Sequence, residues 1–321
     1  MKLSVLTVPL QGMPAREAFT YLSKLGVDQV EIGTGGYTND NHLKPSVYLN
    51  DPAKLDEFKA MLSSLNLGIS ALSCHGNPVH PDKKLAEGYH NVFVDTCRLA
   101  QKLGVDTVVT FSGCPGDCPE SKRPNWVACA WPGDYAEILE WQWNEVLIPY
   151  WKKAVEIANS YGVTKIALEM HPGFCVYNPM TLLRLREAVG DTIGANFDPS
   201  HLFWQGIDPI AALRELKGAV HYFHAKDTRI DAYNTAKNGV LDTRSFTNLG
   251  ERSWIFRTVG YGSDTKLWKD IISTLVEIGY DGAVSIEHED GHMSPREGLE
   301  KAISFIKEII ISEKPGAMWW S

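Results

Sequence analysis

Eight short apolar segments rich in β-branched residues recur along the chain, and helical stretches with one polar face lie between most of them. The segments are LSVLTV (3–8), QVEIGT (29–34), GISALSCHG (68–76), TVVTFSG (107–113), KIALEMHP (165–172), IGANFDPS (193–200), AVHYFHAKD (219–227) and AVSIEHED (283–290). The intervening helices, such as PAREAFTYLSKLG and TKLWKDIISTLVEIG, close on a glycine suited to a C-cap. Strand and helix repeated eight times without a break in composition is the pattern of a closed parallel barrel, whereas a doubly wound sheet uses fewer strands. A chain of 321 residues with 44% hydrophobic content can bury such a core as one unit. The reading is therefore α/β, a (β/α)8 TIM barrel over residues 1–312, with a C-terminal tail at 313–321.

Two stretches depart from the alternation, after strands 4 and 7. Residues 111–135 are rich in Gly, Pro, Cys and Trp, and residues 228–263 form a longer, looser insertion. Loops of this length in a compact domain are usually lids or binding walls. Both follow the C-terminal ends of strands, the face on which barrel enzymes build their active sites.

Four strand ends bring metal-type ligands to that face: Glu169, Asp198, His224 and Glu287. One glutamate at a strand end is usually a solvated cap or an ion-pair partner. Four such groups on strands five to eight reverse that judgement, because three carboxylates crowded without a counter-charge would repel one another. Three oxygen donors and one imidazole, with room for further oxygens, suit an octahedral ion better than a closed tetrahedral zinc site. Mn²⁺ is the expected ion, with Mg²⁺, Zn²⁺ and Co²⁺ as alternatives.

The net charge of −8 offers no footprint for the phosphates of nucleic acid. The N-terminal apolar run is broken by Pro9 and too short for a signal-peptide core, and no later segment reaches a membrane span. A cytoplasmic location without nucleic-acid or membrane partners is the expectation. The six cysteines have no CxxC pairing, and Cys114, Cys118 and Cys129 read as a cysteine-containing loop of reduced thiols.

The motifs VEIG, LEMHP, NFDPSH, FHAKD and SIEHED, in this order and spacing, resemble the sugar phosphate isomerase/epimerase superfamily of xylose isomerase-like barrels. The resemblance implies that Glu169, Asp198, His224 and Glu287 are metal ligands and that Glu169 and Glu287 form an acid/base pair. It also implies that His201 touches substrate or a metal-bound water and that Arg229, downstream of the histidine ligand, holds substrate. The implied function is a divalent-metal-dependent isomerase or epimerase of a monosaccharide or keto-sugar. A metal ion chelated by a carbonyl and an adjacent hydroxyl acidifies the C–H between them and stabilises the enediolate.

His75 is either a ligand of substrate hydroxyls or a satisfied core histidine. Trp126 and Trp131 lie in the first insertion and could stack on a sugar or an aglycone, while Trp141 and Trp143 read as packing of a lid helix. The runs FSGCPG, NWVACAWP and EWQWNEVLIPYW are similar to the large subunits of C-glycoside deglycosidases, which implies an alternative: a lyase or hydratase on 3-keto-glycosides working with a small second subunit. Barrels of this group also form homo-oligomers. An apurinic endonuclease is disfavoured by the acidic charge and by FSGCPG where that family places a histidine, and a non-catalytic sugar-binding protein would not need both Glu169 and Glu287.

Overall fold

A computed structural model describes residues 1–314 and 316–320, so part of the 313–321 tail lies outside the described residues. The eight expected strands are all present: β1 (Lys2–Leu6), β2 (Gln29–Gly33), β3 (Gly68–Ser73), β4 (Thr107–Phe111), β5 (Lys165–Glu169), β6 (Ile193–Phe197), β7 (Val220–Ala225) and, after a two-stranded ribbon, β10 (Ala283–Ile286). They close into a parallel barrel in which β10 pairs with both β7 and β1. The last helix, Pro295–Ile309, packs on β1 and β10. No helix among the described residues is long and apolar enough to cross a membrane.

Alternation along each strand decides what fills the barrel. On β7, Tyr222 and His224 point inward, whereas Phe223 points outward and stacks on Phe197 of β6 with centroids 6.0 Å apart. The lower interior is closed by Ala71, Val109, Ala167, Tyr222 and Ala283. Above that layer the inward positions turn polar: Glu31, Ser73, Glu169, Asn196, His224 and Ser285 are all buried. A packed floor beneath a polar upper layer is how a barrel keeps its core while opening chemistry on one face.

The ladder stops earlier than the sequence segments suggest, and the difference has a physical cause. β5 ends at Glu169, and β6 ends at Phe197 because Asp198 leaves the ladder to cap the helix Pro199–Phe203, accepting from Ser200 N at 2.8 Å. Pro199 at the first helical position lacks the N–H that a continued strand would need. At the other end of the helices, Gly104 ends Lys83–Leu103 with φ +72°, a conformation that glycine adopts without steric cost.

The second insertion is more ordered than a loop. Its two ends pair as an antiparallel ribbon, β8 (Asp227–Ile230) with β9 (Trp254–Arg257), in the register Thr228↔Phe256 and Arg229↔Ile255. Asp227 Oδ2 anchors the return of the chain by accepting from the backbone N–H groups of Gly260, Gly262 and Ser263, each at 3.0 Å, and from Trp268 Nε1 at 3.1 Å. The first insertion leads into a helix over Gly133–Trp141, and Trp143 beyond it is fully buried.

Candidate metal centre and active site

One ligand atom from each of Glu169, Asp198, His224 and Glu287 lies within 4.8 Å of the other three. The four side chains come from the ends of β5, β6, β7 and β10, with the parity that points into the barrel. Among the described residues no other group of His, Cys, Asp and Glu has this compactness. Cys118 and Cys129 are exposed, Cys114 is buried, and all three are free thiols.

The orientation of His224 is fixed from behind. Its Nε2 faces both oxygens of Glu31 at 2.9 and 3.0 Å, while Nδ1 faces Glu287 at 3.0 Å and receives Asn196 Nδ2 at 3.1 Å. Glu31 is fully buried and also accepts from the hydroxyls of Ser73 and Ser285. A carboxylate that holds one ring nitrogen as a donor leaves the lone pair of the other nitrogen for a cation.

Glu169 is equally constrained. Its Oε2 faces His75 Nε2 at 3.0 Å and accepts from Asn196 Nδ2 at 3.2 Å, while Oε1 faces His201 Nε2 at 2.9 Å. Burial opposes its ionisation, but hydrogen bonds from His201, His224 and His75 outweigh that and hold the carboxyl well below its ordinary range. Asp198 is held down to about 2, because Lys226 and His201 overcome the cost of burial. Burial likewise opposes the anion of Glu287, yet Lys226 holds it below the usual range.

Lys226 is the cation that balances these carboxylates. Its Nζ sits 2.9 Å from Glu287, 3.1 Å from Asp198 and 3.2 Å from Glu289, with the Phe256 ring centroid 4.7 Å away. Even so, Asp198 Oδ2 is buried without an aligned hydrogen-bond donor. A buried carboxylate oxygen with charges nearby but no directional partner fits a metal-facing lone pair. The residues present therefore suit a divalent ion held by Glu169, Asp198, His224 and Glu287.

Two histidines beside the cluster are driven in opposite directions. For His201, burial favours the neutral ring, but the charge of Asp198, 3.2 Å from its Nε2, and the hydrogen bond to Glu169 push its pKa up to about 9. The His171 ring lies 4.2 Å from that of His201, and burial together with the His201 charge lowers it to about 3. β5 has ended before His171, so the side chain is free of strand alternation and packs against Phe111, with ring centroids 5.1 Å apart.

The structure places His75 and His201 against Glu169, but it does not bring three of the expected substrate-binding residues to the cluster. Arg229 lies exposed on the ribbon, cross-strand from Ile255, so alternation puts it on the face opposite Phe256, whose ring packs against His201. The neighbouring Asp231 caps the helix Ala232–Asn238, accepting from Asn234 N at 2.8 Å. Trp131 is 78% exposed at the tip of the first insertion. Trp126 packs edge-on against Tyr177 in a separate cavity lined by Leu139, Trp143 and Cys175. The reason is that the insertion folds back onto its own helix, through Gln142 Nε2 donating to Gly116 O at 2.9 Å and Asn125 O at 2.7 Å.

Glu31, Asn196, Lys226 and Phe256 are the residues that the sequence reading passed over. Glu31 carried a signal: a charged residue at an inward position of the otherwise apolar QVEIG strand. Lys226 carried one too, being two residues beyond His224 and so on the same side of the strand.

A family profile described as "Xylose isomerase-like TIM barrel" matches residues 19–309. The chain belongs to this family. It is 43% identical over 312 residues to the Bacillus subtilis (strain 168) protein YfiH, covering 97% of this chain and 99% of that one. It is 26% identical over 151 residues to inosose dehydratase of Geobacillus kaustophilus, covering 47% of this chain and 46% of the relative. Among solved structures, the IOLI protein with a bound zinc atom superposes with a TM-score of 0.67 at 20% identity, covering 97% and 98% of the two chains. D-psicose 3-epimerase, solved in the presence of D-fructose, superposes with a TM-score of 0.61 at 14% identity, covering 97% and 99%. At these identities the structural likeness speaks for the fold alone.

Proposed function

We propose that this family member is a divalent-metal-dependent enzyme that moves a proton on a sugar or keto-sugar at the carbon beside a carbonyl, as an isomerase or epimerase. The observation that carries the reading is the focusing of Glu169, Asp198, His224 and Glu287 within 4.8 Å at the open end of the barrel. Mn²⁺ is the ion the donor set favours, with Mg²⁺, Zn²⁺ and Co²⁺ as alternatives; when bound, it acidifies the C–H and stabilises the negative charge that develops. Glu169 and Glu287 reach in from strands separated by β6 and β7, so one can take a proton from one face of a planar intermediate while the other returns one to the opposite face. His75 and His201 hold Glu169 in position and offer polar contacts to substrate hydroxyls.

A dehydratase or lyase reading is supported by a separate observation. The imidazolium of His201 stands beside the cluster as a buried cationic acid, 2.9 Å from Glu169 and 3.2 Å from Asp198. Departure of a hydroxyl or alkoxide from the β-carbon requires a proton donor at the leaving oxygen, whereas epimerisation delivers its proton to carbon alone. The partial likeness to inosose dehydratase agrees with this reading.

One screen separates the two. Free sugars, keto-sugars and 3-keto-glycosides are incubated with the Mn²⁺-loaded protein in deuterated water and followed by NMR. Exchange of a substrate C–H with solvent marks the isomerase or epimerase, loss of water or an aglycone marks the lyase, and metal-independent binding with neither contradicts both.

A further inference from the structure

A second cavity lies beside the cluster. It has a volume of about 330 Å³ and is lined by Phe246, Leu249, Ile255, Phe256, Glu289 and Gly291. Two of these residues join it to the site described above: Glu289 touches Lys226, and the Phe256 ring meets His201 edge-on with centroids 5.3 Å apart. This volume falls within the range of small-molecule subsites.

The chemistry of the two compartments differs. Around Glu169 and Lys226 the walls are imidazoles, carboxylates and an ammonium, which suit hydroxyls and a carbonyl. In the second cavity four of the six lining residues are aromatic or aliphatic, and the single charged group is a carboxylate. A polyol there would leave most of its hydroxyls without partners. A phosphate would face Glu289, and the neighbouring cations are already engaged, Lys226 by carboxylates and Arg257 by Asp290 at 3.0 Å.

The apolar wall is built before any ligand arrives. Phe246 and Phe256 stack with an interplanar angle of 12°. The buried Arg252 guanidinium lies over Phe246 at 3.9 Å and Trp254 at 4.8 Å, and Trp254 stacks on Trp204 at 4.6 Å. Arg244 grips Asp242 with two bonds of 2.8 Å. Across the opening, a Cβ on Gly291 would come within 2.8 Å of Leu249, so the missing side chain lets the loop after β10 close against the insertion. Phe246 is nevertheless 53% exposed, a cost in water that a ligand would relieve.

We infer that this cavity is a second subsite of the same active site and takes an apolar, ring-sized substituent of the substrate, which is therefore a sugar or keto-sugar bearing an aryl or similar group and not a free monosaccharide or a sugar phosphate. The inference rests on the proposed reading for the place of the sugar ring. The test is calorimetric binding to the Mn²⁺-loaded protein of 4-nitrophenyl β-D-glucopyranoside, methyl β-D-glucopyranoside and glucose 6-phosphate, which needs no turnover. The expected result is that the aryl glycoside binds at least about tenfold tighter than the methyl glycoside, since burying one ring readily supplies that factor. The double variant Phe246→Ser/Leu249→Ser should bring the two affinities within about twofold of each other, and Phe246→Tyr should keep the preference. Equal affinity for the two glycosides in the unmodified protein, tighter binding of the phosphate, no measurable binding of the aryl glycoside, or an aryl preference that survives the double variant would each overturn the inference. Failure of the reaction reading looks different: the aryl preference would persist with no metal-dependent chemistry on any keto-sugar.

Discussion

Glu31 and His224, 193 residues apart in sequence, meet at 2.9 Å in the barrel interior with both side chains sealed from solvent. The contact orients the imidazole: Nε2 is committed to Glu31, and Nδ1 is left facing Glu287 and Glu169. Substituting Glu31→Gln is therefore expected to weaken divalent-metal affinity about 10–100-fold, the usual cost of losing a partner that orients a ligand. Calorimetric titration with Mn²⁺ checks this, and an unchanged affinity would mean that the contact serves packing alone.

The two carboxylates assigned to proton transfer should be indispensable. Glu169→Gln and Glu287→Gln are each expected to reduce turnover by at least about 10²-fold and to weaken metal binding, while the circular dichroism spectrum stays that of the folded barrel. Near-normal turnover in either variant would remove the acid/base assignment.

His201 gives a pH dependence with a definite sign. Burial would lower its pKa, but Asp198 and Glu169 raise it from 6.5 to about 9, so the folded state holds a proton that the unfolded chain releases near 6.5. That contribution is fully present below 6.5 and is lost as pH rises through about 9, on the order of 3 kcal/mol. Protein kept in a chelator should lose thermal stability between pH 6.5 and 9, and His201→Asn should flatten the slope. A Tm that rises over this window would contradict the assignment.

Arg229→Ala and Trp131→Ala should leave kcat/KM within about twofold of the unmodified protein's, because both side chains project to solvent away from the cluster. Steady-state kinetics on whichever substrate the NMR screen identifies would settle this, and a tenfold loss in either variant would place the residue against substrate.

The barrel was legible because eightfold alternation leaves few other ways to bury so many strands. The four cluster residues were legible for a related reason: each stands at or just past the end of a strand, and parallel strands in one barrel bring their ends to one face. Glu31 stood out only as a charge at an inward strand position, and both it and Asn196 take their roles from partners on other strands, as in the contact of Asn196 with both Glu169 and His224. Tryptophan content in the first insertion suggested a binding wall, whereas Trp126 packs against Tyr177 in a separate cavity, Trp131 projects into solvent, and Phe256 of the second insertion is the ring that meets His201. Which loop turns toward a barrel mouth depends on contacts such as the four N–H groups gathered by Asp227, and no local pattern of residues encodes them.

Metal stoichiometry decides whether Glu169, Asp198, His224 and Glu287 share one ion. Mn²⁺ electron paramagnetic resonance, paired with elemental analysis after equilibration with limiting Mn²⁺, should show one tightly held ion per chain, and Asp198→Ala should abolish it while the protein remains folded. An unmodified chain that holds no ion, or an Asp198→Ala chain that holds one as tightly, would contradict a metal site built on these four residues.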